Sequence, residues 1–145
     1  TGDVACESHL VAAFHRMSRT PERVAGDPTR SSEEWAEAHA AFHTALVEGC
    51  GSPWLMRLHS QLYDQSERYR RLSVSVAPKK RNIGDEHQKI MDAVLARDAD
   101  KAVKLLAQHL GATTAILLNA DLDALPQGRH AVPGRRAAGR VRGIA

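Results

Sequence analysis

Two histidines four residues apart inside an apolar stripe constrain this chain more than any other feature. In Trp35-Ala36-Glu37-Ala38-His39-Ala40-Ala41-Phe42-His43-Thr44-Ala45-Leu46, the apolar residues Trp35, Ala38, Phe42 and Leu46 recur at helical spacing. Residues i and i+4 stand one above the other on a helix, so His39 and His43 point the same way and border the core. A buried imidazole needs a hydrogen-bond partner or a metal. The pair alone is a weak motif, because with eight histidines in 145 residues the spacing arises readily by chance. Hydrogen-bonded core histidines and a metal site remain open until other histidines are placed.

The remaining segments are helical by the same criterion. Asp3 to Arg19 carries Val4, Leu10, Val11, Phe14 and Met17 on one side, and Pro21 ends it ahead of a loop over Glu22 to Arg30. Ser31 and Glu34 stand at capping-box spacing before the His39/His43 helix, which stops at Cys50-Gly51. Ser52-Pro53 opens a long helix to about Val76, with Leu55, Leu58, Leu62, Tyr69, Leu72 and Val76 as its expected buried side; Ala77-Pro78 ends it. After a basic, solvated connector from Lys79 to Asn82, a fourth helix begins near Gly84 and carries His87, Ile90, Met91, Val94 and Leu95. Asp98 caps a fifth, with Leu105, Leu106, His109, Leu110, Thr113, Ile116 and Leu117. No segment alternates with period two, so the expected fold class is all-α, an antiparallel helical bundle.

Charge and composition exclude several classes of function. With 43% hydrophobic and 26% charged residues the chain is ordinary globular protein, and no apolar run approaches the ~20 residues that span a bilayer. The net charge of +3 is misleading: five arginines lie beyond Pro126 with no acid, leaving 15 basic against 17 acidic residues in the body. The body therefore offers no basic face for nucleic acid. Residues 1–125 are expected to form the bundle and 126–145 a basic disordered tail, with a phosphate-binding arm as its alternative reading. Cys6 and Cys50 form no C-x-x-C motif and are read as buried thiols in a reducing, cytoplasmic setting.

His39, His43, His87 and His109 all fall on core-facing stripes of three helices. Four desolvated imidazoles are costly unless something joins them, and imidazole nitrogen suits zinc, nickel, copper or iron. His9 and His15 read as surface or helix-packing residues, and His130 lies in the tail. No His-Glu-x-x-His arrangement supplies a base, so hydrolysis is unsupported and the expected role is non-catalytic. Two alternatives stay open: a small helical metalloenzyme using an open coordination position, and a purely structural metal.

Several segments together resemble a known family. Ala38-His39-Ala40-Ala41-Phe42-His43-Thr44-Ala45-Leu46, Gly49-Cys50-Gly51-Ser52-Pro53-Trp54-Leu55, Arg68-Tyr69-Arg70-Arg71-Leu72, Glu86-His87, Arg97-Asp98-Ala99 and His109-Leu110 resemble the FCD domain, the effector-binding domain of GntR-type regulators of the FadR subfamily. The resemblance covers roughly Asp3 to Leu118 and implies a helical bundle holding a divalent metal, zinc or nickel, that helps bind a small organic acid. It carries the metal ligands over to His43, His87 and His109, and places His39 where such domains usually have Asp or Asn. It also implies a homodimer that contacts DNA only through an N-terminal winged helix-turn-helix domain. That domain, and the first bundle helix, are expected to be missing from this chain. For the organic acid, Arg70 is the expected carboxylate clamp, with Tyr69 and Gln65 as polar neighbours; a solvated helix charge is the other reading of Arg70.

Overall fold

A computed structural model describes residues 2–76 and 81–120. They form helices α1 (Val4–Arg19), α2 (Glu33–Glu48), α3 (Pro53–Val76), α4 (Ile83–Leu95) and α5 (Ala99–Leu118), with a short ribbon of β1 (Arg23–Val24) and β2 (Asp27–Ser31) between α1 and α2. The fold class is all-α, as the periodicity predicts. The expected helix stop at Ala77-Pro78, the lysines of the connector and the tail from 126 to 145 lie outside the described residues.

The main core is built where α1 crosses α2. Leu10, Ala13 and Met17 of α1 pack on Trp35, Ala38, Phe42 and Ala45 of α2, and Met91 of α4 closes the cluster. Phe42 is fully buried and meets Phe14 with ring centroids 5.8 Å apart. Burying one such side chain contributes about 1.5–3 kcal/mol, which makes this crossing the firmest support of the helix that carries His39 and His43. Val4 and Val11, expected on the buried side of α1, are exposed instead, and Ala13 takes their place in the close α1–α2 contact.

Three further expectations need correction. The segment Glu22 to Arg30 is not all loop: β1 and β2 pair antiparallel, with Arg23 opposite Ser31 and Val24 opposite Asp27. Neither face of this ribbon enters the core, so its sequence carries no alternation of apolar and polar residues. Gly26, at φ +81°, supplies the left-handed residue the tight turn requires. The α2 cap is Ser32, whose Oγ accepts from Trp35 N at 3.3 Å, while Ser31 is turned aside into the ribbon. Cys50 is exposed rather than buried, and Cys6 is half-buried.

The largest departure concerns α3. Leu55, Leu62 and Tyr69 are exposed, and the side of the helix that turns inward carries Tyr63, Glu67 and Arg70, with Ser73 and Val74 buried toward its end. Polar residues win this face because they find partners there: Tyr63 meets His39, and Arg70 binds Glu67 and lies over the Trp35 ring. No helix among the described residues is long and apolar enough to cross a membrane.

Candidate metal centre

Chain geometry brings the histidines together. α4 and α5 are joined by a tight turn in which Arg97 takes a positive φ of 56° and Asp98 N bonds Ala93 O at 3.0 Å. Asp98 then caps α5 by accepting from Lys101 N at 3.0 Å. His87 and His109 stand equally far before and after Asp98, so two antiparallel helices of equal rise bring them level. The α2–α3 turn works in the same way around Gly51, at φ +66°, and sets His39 level with Tyr63.

All four histidines are buried, at 4%, 6%, 1% and 7% exposure for His39, His43, His87 and His109. One nitrogen from each lies within 4.8 Å of all the others. His39 is the hub, its Nε2 at 3.1 Å from His43 Nε2 and 3.2 Å from His87 Nε2. A neutral imidazole Nε2 holds either one hydrogen or one lone pair, so His39 cannot serve both neighbours with full hydrogen bonds. A cation at the convergence would use every lone pair at once. Metal–nitrogen arms of ~2.0–2.1 Å place neighbouring ligand atoms about 3 Å apart, so the His39–His43 and His39–His87 separations and the donor set fit such an ion, with room for further ligands if it is more than four-coordinate.

Electrostatics keep the rings ready to ligate. Burial, the largest cause, lowers His39 well below the ordinary imidazole value, with repulsion from His43 and His87 adding to it. Burial likewise lowers His43 to about 3 and His87 to about 2, with His109 contributing in both. His109 is also lowered by burial, against an opposing pull from Glu86. Neutral imidazole is the metal-binding form, so the cluster stands deprotonated at neutral pH.

Residues outside the four orient the rings, and sequence reasoning missed them. Glu86 Oε2 accepts from His109 Nδ1 at 2.7 Å, which leaves Nε2 of that ring for the cluster. Arg81 holds Glu86 through Nε (2.9 Å) and Nη2 (2.7 Å), and donates to Thr113 Oγ1 at 3.0 Å and His109 O at 2.9 Å. Partial burial works against ionising Glu86, but hydrogen bonds from Arg81 and His109 outweigh it and hold its pKa below the usual range. Arg81, expected in a solvated connector, is thus a half-buried strut between α4 and α5. On the other side Tyr63 OH lies 2.7 Å from His39 Nδ1; burial raises the Tyr63 pKa, so the phenol stays protonated. Trp35 stacks on His39 at 4.5 Å between centroids. The equal distances of Tyr63 and His39 from the Gly51 turn are the sequence signal that could have found Tyr63.

A cavity of about 700 Å³ opens beside His39, His43 and His109. Of the residues expected to bind the organic acid, Arg70 and Tyr69 line it, whereas Gln65 is exposed and does not. Arg70 is not a free cation, because Nε and Nη2 are bonded to Glu67 at 2.7 and 2.5 Å. His9 is at the surface, 2.6 Å from Glu48, and His15 is exposed.

Comparison with known proteins follows the same lines. The model of the FCD domain matches residues 3–112. The chain is 38% identical over 116 residues to the uncharacterized HTH-type transcriptional regulator BphR of Paraburkholderia xenovorans (strain LB400), a match covering 80% of this chain and 47% of that protein. It is 37% identical over 108 residues to the HTH-type transcriptional repressor GlaR of Escherichia coli (strain K12), covering 72% and 48% respectively. The chain therefore spans about half the length of the curated relatives it matches. No solved structure gives a significant match. With a helical bundle, a histidine cluster drawn from three helices and a family match over most of its length, this chain belongs to the FCD domain family of GntR/FadR-type transcriptional regulators.

Proposed function

We propose that this chain is the effector-sensing domain of a transcriptional regulator, in which His39, His43, His87 and His109 hold one divalent metal ion and the metal helps bind an organic acid. The observation that carries the reading is the convergence of four buried imidazole nitrogens on one point beside a cavity. A bound cation supplies charge that attracts a carboxylate into a position the histidines leave open. With four neutral ligands the full divalent charge would act on the anion, and zinc or nickel suits the nitrogen set. The chain's own part is to present the lone pairs, keep the rings neutral and exclude water from their inner faces.

The role is regulatory rather than catalytic, in a cytoplasmic protein. Organic-acid binding favours one arrangement of a homodimer and so alters the DNA affinity of an attached winged helix-turn-helix domain. The test is thermal melting of the untagged protein, zinc-loaded and zinc-stripped, against a panel of carboxylic acids. A carboxylate-dependent rise in melting temperature confined to the loaded form supports the sensor. A metal-dependent rise with no response to any acid would leave a structural ion in its place.

A further inference from the structure

The wall of the cavity specifies the kind of acid, on the premise that a metal-assisted carboxylate site exists as proposed above. The cavity takes its apolar lining from Leu72, Val74, Ile83, Leu110, Ile116 and Leu117, and the hydroxyls of Ser66, Ser73 and Thr114 in the same wall are bonded to helix carbonyls. It runs along α3 from Tyr63 to Val74, a separation of eleven residues or roughly 16 Å at 1.5 Å per residue. At about 700 Å³ it lies within the ~300–1,000 Å³ of pockets that enclose drug-sized molecules, so a short acid would leave most of the apolar wall facing water.

The charged groups in the same wall argue against a second anionic group on the ligand. Arg70 is bonded to Glu67 and Arg81 to Glu86. Arg23 donates to the carbonyl oxygens of Pro28 and Val74. Next to it Glu22 Oε1 is buried without a hydrogen-bond partner among the described residues, so a second anionic oxygen brought there would meet another acceptor rather than a donor. A second carboxylate there would have to displace an internal acid from Arg70 or Arg81, or compete with the carbonyl oxygens of Pro28 and Val74 for Arg23 beside the carboxyl of Glu22, and both are costly. We propose that the effector is a monocarboxylate with an extended apolar body, its carboxylate at the histidine end and its body against the α3 and α5 side chains.

The experiment titrates the zinc-loaded chain with acetate, butanoate, hexanoate and octanoate, and in parallel with succinate, malate and citrate. Each added methylene buried against the wall should lower Kd about fourfold. Octanoate should therefore bind far more tightly than any of the polyacids. Ile116→Asn should flatten the series while leaving zinc content and acetate affinity unchanged; Leu110→Asn, at a half-exposed position on the same wall, gives the same readout if the first variant does not fold. Equal affinity along the series, or tighter binding of succinate or citrate, overturns the apolar-body proposal and leaves the sensor reading standing. Undiminished octanoate binding by zinc-stripped protein overturns it as well, because the carboxylate would then not be at the metal. Failure of every acid to bind would defeat the sensor reading itself.

Discussion

Glu86 does not belong to the converging set, yet it fixes one of the rings that does. Its hydrogen bond to His109 Nδ1 selects the tautomer whose Nε2 carries the lone pair. Glu86→Gln should therefore weaken metal binding about 10- to 100-fold with little change in helical content, measured by competition with a chelating dye. Retention of wild-type affinity would mean that packing alone orients the ring. His39 offers a second test, of charge. His39→Asp should keep the metal but weaken carboxylate binding by at least about tenfold, since a unit charge ~4 Å away at an effective dielectric of 20 contributes up to about 4 kcal/mol. Unchanged carboxylate affinity in that variant would show that the charge of the centre does not set the affinity.

At the level of helices, caps and turns decide which residues stand level with one another. Asp98 both starts α5 and sets its register against α4, so Asp98→Ala should cost about 1 kcal/mol of stability and be seen as a lower denaturation midpoint. The helices were legible in the sequence because their stripes have a plain 3.6-residue period and their ends carry Asp98, Ser52-Pro53 and Gly51. The four histidines were legible because each lies inside such a stripe. The inward face of α3 was not, since an amphipathic helix whose polar side pairs with other polar groups reads, by hydrophobicity alone, as if it were turned the other way. Glu86 and Arg81 were hidden for a related reason. Their placement depends on α5 crossing α4 beside them, a long-range fact that neither local periodicity nor charge records.

For the whole molecule, the histidine cluster couples folding to pH. His43 and His87 are neutral in the folded protein down to about 3 and about 2, whereas in the unfolded chain they protonate near 6.5. The unfolded state thus binds more protons between those limits, so this stability is fully present above pH 6.5 and is lost as pH falls below it. The loss approaches about 1 kcal/mol per pH unit for each such histidine. Denaturant midpoints of metal-free protein should drop between pH 7 and 5, and less steeply in His87→Leu, which has one imidazole fewer to keep neutral. A flat profile would mean that the rings are open to water.

The central claim is that four histidines from three helices make one metal site, and metal content tests it most directly. Untagged wild-type protein and His87→Ala, purified side by side, are assayed for bound transition metals and for helical content. The account predicts about one divalent ion per chain in the wild type and its loss from a still helical variant. No metal in either protein, even after incubation with zinc, would contradict it.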